Sequence, residues 1–382
     1  MKKVGIMSMQ RIANYGSFLQ AYALKQLIEE LGCKVEFVDY HVGTPVIDGN
    51  ADNKNKYVRK IEKGFETFKY KAPFLHKLAF IRYKQSFSKK YMPLLGVTNE
   101  MNYNPVLDCL VIGSDEVFNC IQKNANVGYS PELFGKDNNA KKLITYAASF
   151  GNTTLEKLKK YKKVDEVGAL LKKFDAISVR DANSGTIVEQ LTGKGPVYNL
   201  DPVLTYDYMN CCDKIPQVQT NEKYLILYAY AGRISNEEAD WIVAYAKEKN
   251  LKVYAIGGIQ KCADRFVDCS PFEVLAYFRN AEEVITDTFH GSIFSVITHR
   301  PFATLIRKSV GNSYGNEEKL SDLLNRLGLT ERMTTKVEET EHINQQPIDY
   351  EKVDDVLQKQ REIAKVYLCQ SIGELGENRH IK

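Results

Sequence analysis

The stretch "KKVGIMSMQRIANYGSFLQAYALKQLIEELGCKVEFVDY" (residues 2–40) decides the fold. It begins with a short apolar run, "KKVGIM", which predicts a strand. In the segment that follows, the apolar residues Leu24, Leu27, Ile28 and Leu31 recur at the spacing of one helical face. "KVEFVDY" then predicts a second strand. Strand, helix and strand in this order form a βαβ unit, which predicts a parallel sheet with a right-handed crossover.

The turn before this helix, "NYGS" (14–17), contains one glycine, whereas a dinucleotide-binding loop contains three. We expect Ser17 to cap the helix, with Gln20 as its capping-box partner, and Gly32 to end it. Asn14 and Gln20 carry neutral amides, which suit neutral hydroxyl groups. A plain turn residue is the alternative interpretation of Asn14.

The alternation of strands and helices predicts two domains. It resumes after about residue 106 and again after a polar, aperiodic segment at 211–223, which we interpret as a linker. We therefore expect an α/β protein with two Rossmann-like, doubly wound domains that face a cleft, residues 1–215 and 216–349. Residues 350–372 predict a single helix, and we expect the C-terminal part, 350–382, to cross back to the first domain.

Composition excludes several classes of protein. With 382 residues, 44% of them hydrophobic, the chain is long enough for two ordinary cores. The net charge of +4 is too small to indicate a nucleic-acid partner. The eight cysteines form no C-x-x-C pair and no spacing typical of zinc, so we expect reduced thiols and no metal. No signal peptide and no transmembrane run is recognisable, which predicts a cytoplasmic protein.

A basic insertion at about residues 41–106 interrupts the alternation. Residues 53–90 hold twelve Lys and Arg against two Glu, so this segment carries a charge of +10 and the rest of the chain −6. We interpret it as a helical insertion beside the cleft. The favoured interpretation is a solvated lysine-rich face. The alternative is a basic flap that meets an anionic substrate or the lipid head groups at the inner face of the membrane.

Residues with side chains suited to catalysis or ligand binding follow the predicted strands. They lie at the sheet edge where open α/β proteins bind ligands. The richest turn is "TDTFHGS" (286–292), in which His290, Gly291 and Ser292 open a helix. A helix N-terminus suits phosphate or carboxylate, and a histidine there is a candidate acid or base. The alternative is a capping histidine with no chemistry.

Two further turns supply charged candidates. Arg180 ends the apolar run "AISVR", and its forked guanidinium suits a carboxylate or phosphate; a salt bridge, for example to Asp181, is the alternative. Ser114 and Asp115 lie in "GSDE" (113–116), where Asp115 is a candidate base for a sugar hydroxyl or else a turn-forming residue. The sequence contains no G-x-G-x-x-G, no P-loop and no G-x-S-x-G motif.

Taken together, these motifs resemble those of the polysaccharide pyruvyl transferase family. The resemblance covers roughly residues 4–330 and depends on the order and spacing of six segments. They are "NYGSFLQAYAL" (14–24), "GSDEVFN" (113–119), "SVRD" (178–181), "NLDPVL" (199–204), "TDTFHGSIFS" (286–295) and "KLSDLLNRLGL" (319–329).

The resemblance implies a glycosyltransferase-B-like fold and a reaction. Members transfer the enolpyruvyl unit of phosphoenolpyruvate to two hydroxyls of a sugar, which gives a pyruvate ketal and inorganic phosphate without a cofactor. The implied partners are phosphoenolpyruvate and a glycan or lipid-linked oligosaccharide. The implied catalytic residues are His290, Asp115 and Arg180. The implied donor-side residues are Arg180, His290, Gly291, Ser292 and Arg307, and the acceptor-side residues are Asn14, Tyr15, Gly16, Gln20, Ser114 and Asp115.

The chain also departs from the family pattern. Some members have Arg two residues before the histidine, where this chain has Thr288, and the usual Arg of the later helix is Lys319. We expect one donor-phosphate contact either to be weaker or to be supplied elsewhere, for example by Arg307 or Lys308. Two other functions stay open: a nucleotide-sugar-dependent glycosyltransferase of the same fold, and a non-catalytic glycan-binding relative.

Overall fold

The computed structural model describes residues 1–47, 67–122, 126–308 and 315–373. It contains two six-stranded parallel sheets with helices packed on them, which confirms the predicted α/β fold with two Rossmann-like domains. The strands of the first sheet are β1 (Lys3–Met7), β2 (Lys34–Phe37), β3 (Cys109–Asp115), β4 (Leu143–Ala148), β5 (Ser178–Val179) and β6 (Val197–Tyr198). The strands of the second are β7 (Tyr224–Tyr228), β8 (Lys252–Ile256), β9 (Arg265–Phe266), β10 (Glu283–Thr286), β11 (Phe302–Leu305) and β12 (Met333–Thr334).

Helices connect the strands of both sheets, and residues 212–223 between the sheets contain neither helix nor strand. The helices up to that segment are α1 (Tyr15–Glu30), α2 (Phe74–Leu95), α3 (Leu155–Lys160), α4 (Val164–Leu171), α5 (Ala182–Thr192), α6 (Pro202–Thr205) and α7 (Tyr208–Cys211). Those after it are α8 (Asn236–Glu248), α9 (Pro271–Asn280), α10 (Phe289–Ile297), α11 (Glu317–Arg326), α12 (Thr340–Gln345) and α13 (Tyr350–Ile372). Short 3₁₀ turns occur at Pro131–Phe134, Thr330–Arg332 and Val337–Glu339.

The strand order places a crevice at the carboxyl edge of each sheet. In the first sheet, β1 pairs with β2 on one side and β3 on the other, so the chain changes direction beside β1. In the second sheet, β7 stands in the same relation to β8 and β10. Ligands of doubly wound sheets bind at such switch points. The segments that follow β1, β3, β7 and β10 are therefore placed to form a site.

The start of helix α1 differs from the prediction. Asn14, with φ −149° and ψ 138°, is the N-cap, and its side-chain oxygen accepts the backbone N–H of Gly16 at 2.7 Å. The prediction that Ser17 caps the helix is wrong, because the helix already begins at Tyr15. Gly32, with φ 75°, confirms the predicted left-handed stop.

A second difference concerns residues 155–174, where the periodicity predicts one amphipathic helix. The structure has two helices, α3 and α4, because Lys162 adopts a left-handed φ of 55° between them. The turn lets Val167 and Leu171 of α4 pack into the core. The helical pattern of the sequence continues through Lys162 and therefore does not predict the turn there.

The basic insertion contains the long helix α2, as predicted, whereas residues 48–66 lie outside the described part of the chain. Helix α2 contacts both domains. The ring of Tyr83 lies 5.1 Å from that of Tyr15 in the first domain, and the ring of Phe80 lies 5.6 Å from that of Phe266 in the second. The inner face of α2 is therefore part of the domain interface.

The last helix, α13, also spans the two domains. Near its start the hydroxyl of Tyr350 donates to the carbonyl of Arg300 in the second domain, at 2.6 Å. Near its end the hydroxyl of Tyr367 donates to the carbonyl of Thr145 in the first sheet, at 2.7 Å. Residues 374–382 lie outside the described part of the chain.

Helices α1 and α9 form the centre of the domain interface. Phe272 of α9 packs edge-on against Tyr22 and Phe18 of α1, with ring centroids 5.0 Å and 5.8 Å away. The hydroxyl of Tyr15 donates to the carbonyl of Cys269 at 2.9 Å. Apolar burial with one interdomain hydrogen bond therefore fixes the width of the cleft beside α1.

We expect Phe272→Ala to lower the free energy of unfolding by about 3–5 kcal/mol, because it leaves a cavity in the interface. Urea unfolding measures the change. Phe74→Ala is the matched control, because Phe74 is 63% exposed whereas Phe272 is 4% exposed. Equal stability of the two variants would contradict the role of Phe272.

Candidate functional site

A cavity of about 490 Å³ opens between the carboxyl edges of the two sheets. Segments that follow β1, β3 and β5 line it from the first domain, and segments that follow β7, β10 and β11 line it from the second. Its lining contains as many carboxylates as cationic side chains. The charged lining residues and the histidine are Asp115, Glu116, Arg180, Arg233, Asp287, Lys319 and His290.

Arg180 lies at the floor of this cavity, with its side chain only 4% exposed. Its Nη1 donates to Asp201 Oδ2 at 3.1 Å and its Nη2 to Asp115 Oδ1 at 3.4 Å. The guanidinium carbon also lies 4.7 Å from the ring centroid of Phe289 in the second domain. Burial lowers the pKa of Arg180, but Asp115 and Asp201 outweigh burial and the pKa is raised, so the guanidinium stays charged.

Asp201 is the carboxylate that both Arg180 and His290 face. The sequence analysis did not select it as a site residue. Asp201 is fully buried and caps the short helix α6, where its Oδ1 accepts the N–H of Val203 at 3.1 Å. Burial raises the pKa of Asp201, but His290 and Arg180 outweigh burial and lower it. The sequence signal was the Asp-Pro step in "NLDPVL", a capping Asp followed by Pro at the first helical position.

His290 belongs to the second domain and points at the same carboxylate. Its Nε2 lies 3.7 Å from Asp201 Oδ2, and this buried atom has no hydrogen-bond partner among the described residues. On the other side the ring meets Gly16, where a Cβ would lie 2.2 Å from His290 Nδ1. The close approach of α1 to His290 therefore requires glycine at position 16. His290 thus lines the cavity with the carboxylate of Asp201 beside its Nε2.

The first turn of α10 is capped by Thr288 and not by His290. Thr288 Oγ1 accepts the N–H of Gly291 at 3.0 Å. The hydroxyl of Ser292 is buried and lies 2.9 Å from Thr304 Oγ1. Gly291 and Ser292, both expected on the donor side, therefore lie behind the cavity wall and are not among its lining residues.

Arg307 and Arg233, two arginines of the second domain, differ in how firmly other side chains hold them. Arg307 makes two hydrogen bonds to Glu238, at 2.5 Å and 3.1 Å, and does not line the cavity. Arg233 does line it, stacks on Tyr230 at 4.6 Å and makes no side-chain hydrogen bond to any described residue. Its Nη1 lies 3.8 Å from the buried Asp287. The sequence reasoning missed Arg233, whose only signal is its place after β7.

Asp287 forms part of the second-domain wall. Its side chain is fully buried, and burial raises its pKa although Arg233 and Arg307 oppose that shift. Lys319, at the position of the usual family arginine, lies across the cleft with its Nζ 3.3 Å from Glu116 Oε1 of the first domain. This ion pair joins the two domains at the cavity.

The acceptor-side candidates separate into two groups. Asn14 and Asp115 line the cavity, although the side-chain oxygen of Asn14 is already used as the helix cap. Ser17, beside them, donates to Asp115 Oδ2 at 3.1 Å. The others are buried outside the lining: Tyr15 bonds to Cys269, Gly16 packs on His290, Gln20 lies within α1, and Ser114 donates to the carbonyl of Ala147.

Two structural findings bear on ligands and membranes. Within residues 1–47, 67–122, 126–308 and 315–373, no group of three or more His, Cys, Asp and Glu side chains is arranged to hold a metal ion. None of the helices in those ranges combines the length and the apolar character that crossing a bilayer requires.

Comparison with known protein families shows to which family this chain belongs. Residues 14–309 match the family described as polysaccharide pyruvyl transferase, and this range is more than half of the chain. The chain belongs to this family. The match includes Asn14, Asp115, Arg180, Asp201 and His290. No curated protein matches the chain significantly.

Solved structures resemble this family member only distantly. MnaA from S. aureus with UDP has a TM-score of 0.47 at 12% identity over 94% of this chain and 91% of that one. The UDP-GlcNAc 2-epimerase of Neisseria meningitidis, bound to UDP-GlcNAc, scores 0.45 at 10% identity over 97% and 100%. An O-GlcNAc transferase mutant of Thermobaculum terrenum scores 0.41 at 13% identity, with 98% of this chain and 66% of that chain covered. At this level of similarity nothing follows about their ligands for this chain.

We expect Asp201→Asn to destabilise the protein by about 3–5 kcal/mol near neutral pH, because Arg180 loses its buried partner. Since the folded-state pKa of Asp201 is lowered, its contribution is present above the unfolded-state value of about 4 and is lost as the pH falls through the folded-state pKa. Urea unfolding from neutral to acidic pH tests this. Asp213→Asn, at a 92% exposed side chain, is the control, and a pH-independent effect of Asp201→Asn would contradict the account.

We expect Gly16→Ala to displace the His290 ring, because the new Cβ would lie 2.2 Å from Nδ1. The imidazole resonances in NMR spectra report the displacement, with His290→Gln used for assignment. Gly195→Ala is the matched control, because a Cβ at Gly195 meets nothing within 4 Å. An unchanged His290 signal in Gly16→Ala would show that the contact is absent in solution.

Proposed function

We propose that this family member is a ketal pyruvyltransferase of surface or exopolysaccharide biosynthesis. It transfers the pyruvyl unit of phosphoenolpyruvate to two hydroxyls of a sugar and releases inorganic phosphate. The observation that carries the proposal is the buried group Arg180–Asp201–His290 at the floor of the interdomain cavity. This group combines a fixed cation with a proton donor that has its own carboxylate, as an enol donor requires.

The donor is an anion with a carboxylate and a phosphate, so it needs at least two cationic contacts. Arg180 donates one hydrogen bond from each terminal nitrogen to a carboxylate, and the guanidinium has further N–H groups for the donor carboxylate. Arg233 meets the phosphate. It replaces the arginine that some family members have at position 288, because Arg307 is held by Glu238 and Thr288 is the helix cap.

The chemistry begins with proton transfer from His290 to the methylene carbon of phosphoenolpyruvate. Asp201 Oδ2, 3.7 Å from His290 Nε2, orients the imidazole ring for this step. Protonation breaks the carbon–carbon double bond and leaves an oxocarbenium-like centre at the adjacent carbon. A sugar hydroxyl attacks that carbon and gives its proton to Asp115, whose side chain is 15% exposed at the cavity.

The second half of the reaction closes the ketal. The bond from the former enol carbon to the phosphate oxygen breaks, and phosphate leaves with the electron pair beside Arg233. The departing phosphate takes the proton held by Asp115. A second hydroxyl of the same sugar then attacks the carbon and gives its proton to His290, which restores the donor form of the imidazole. The products are the pyruvate ketal and inorganic phosphate, so atoms and charge balance without a redox partner, an organic cofactor or a metal ion.

The acceptor enters from the first-domain side. Asn14, Ser17 and Asp115 offer amide, hydroxyl and carboxylate groups there, which suit the hydroxyls of a glycan or of a lipid-linked oligosaccharide. Phosphoenolpyruvate is a cytoplasmic metabolite, so we place the reaction in the cytoplasm, where a lipid-linked acceptor presents its sugar at the inner face of the membrane.

The experiment follows phosphate release from phosphoenolpyruvate with a panel of glycans that carry adjacent free hydroxyls. We expect His290→Ala to lower kcat by about 100-fold or more, because proton transfer is lost. We expect Arg233→Gln to raise the KM for phosphoenolpyruvate about tenfold or more, because a charge-assisted contact to phosphate is lost.

Matched controls are His342→Ala, on an exposed histidine, and Arg279→Gln, on an arginine that does not line the cavity. Full activity of His290→Ala would remove His290 from the mechanism. Consumption of a UDP-sugar, with no phosphate release from phosphoenolpyruvate, would replace the proposal with the glycosyltransferase alternative.

A further inference from the structure

The solvent-facing side of helix α2 carries an exposed apolar cluster at its start. Leu75 is 75% exposed, Phe74 63% and Leu78 43%. Phe68, which is 43% exposed, precedes the helix and lies with its ring centroid 6.2 Å from that of Phe74. We call these four residues the α2 tip. Burial of large side chains is the rule, so four exposed together indicate a surface with a function.

The opposite face of α2 is already packed. Phe80, Tyr83 and Phe87 are 8%, 1% and 0% exposed and form the contacts with the two domains. Helical spacing places Phe74 and Leu78 away from those residues. The side chains of the α2 tip therefore do not form part of the hydrophobic core.

The charges of the segment that contains the tip have one sign. Residues 67–95 contain seven Lys and Arg and no Asp or Glu, namely Lys69, Lys71, Lys77, Arg82, Lys84, Lys89 and Lys90. Arg82, one turn after Leu78 on the same face, has a side chain that is 77% exposed, and its Nη2 lies 3.8 Å from Asp268 Oδ2 of the second domain. Lys89 and Lys90 are exposed further along the helix.

We propose that the α2 tip and its basic surroundings dock the protein peripherally on an anionic phospholipid bilayer. Apolar side chains at the tip enter the interface between head groups and acyl chains, while the cations meet lipid phosphates. A second copy of this chain fits worse, because two-fold pairing of this face would bring exposed cations such as Arg82, Lys89 and Lys90 against their own copies. Charge complementarity therefore selects the bilayer.

Docking at this place would also bring the cleft to the membrane. The Nζ of Lys84 donates to the carbonyl of Ala13 at 3.1 Å, next to the cavity residue Asn14. The outer face of α2 is thus one helix diameter from the acceptor side of the cavity. The use of this proximity for a lipid-linked acceptor rests on the proposed function, whereas the docking itself does not.

The experiment sediments the full chain with phosphatidylcholine vesicles that contain or lack phosphatidylglycerol. We expect binding only with phosphatidylglycerol, weakened by salt because the attraction between charges is screened. We expect Leu75→Ser with Leu78→Ser to lower the partition coefficient about tenfold or more, because apolar burial is lost. We expect Lys89→Glu with Lys90→Glu to lower it about 25-fold or more, at roughly fivefold per charge removed.

Val243→Ser is the matched control, because Val243 is 48% exposed on another helix, α8. Thermal unfolding checks that the exposed substitutions leave the fold intact. The proposal is overturned if the chain binds neutral vesicles equally, binds neither kind, or keeps its affinity in the Leu75/Leu78 variant. It is also overturned if the wild type self-associates without lipid and the variant does not. A chain that releases phosphate from phosphoenolpyruvate but fails to bind vesicles would remove the docking and leave the proposed function intact.

Discussion

The buried carboxylate of Asp201 holds the candidate site together. It accepts a hydrogen bond from Arg180 at 3.1 Å within the first domain and faces His290 of the second domain at 3.7 Å. Removing a charge from water is costly, so such a carboxylate is stable only with its partners in place. The relative position of the two domains, set by the aromatic contacts of α1 with α9, decides whether His290 reaches this carboxylate.

The charge balance of the cavity bears on which cation would bind the anionic donor of the proposed reaction. Each cationic side chain of the lining faces a carboxylate: Arg180 faces Asp201, Lys319 faces Glu116, and Arg233 faces Asp287. The separation for Arg233, 3.8 Å, is longer than a hydrogen bond, and a third of its side chain is exposed. Arg233 therefore loses the least when it turns to an anion, which supports its proposed role as the phosphate contact in a chain with Thr at position 288.

Much of the fold could be predicted from apolar periodicity and turn residues. The C-terminal helix occupies Tyr350–Ile372 as expected, and the Ser-Pro step at Ser270 marks the start of α9. These features are local, because periodicity and caps act over a few residues. The break at Lys162 could not be predicted, since it depends on a backbone angle that tertiary packing selects. For the cap of α1 the sequence contains two residues of capping type, Asn14 and Ser17, and the choice between them depends on where the helix begins.

The site was predictable only in part, for a similar reason. His290, Arg180 and Asp115 follow strands and converge because the carboxyl edges of the two sheets face each other. Gln20 in helix α1 and Ser114 in strand β3 belong to segments that reach the cavity, but their side chains are buried in the core. The sequence analysis did not select Asp201, although a residue just before a proline is often the N-cap of a helix, as Asp201 is here. Arg233 follows β7 with no motif to mark it.

Calorimetric titration of the wild-type chain with phosphoenolpyruvate, and separately with UDP, tests the central claim most directly. The account predicts that phosphoenolpyruvate binds, that inorganic phosphate competes with it, and that Arg233→Gln weakens the affinity about tenfold or more because a charge-assisted contact is lost. It predicts no heat of binding for UDP. Binding of UDP without binding of phosphoenolpyruvate, or an unchanged affinity in Arg233→Gln, would contradict it.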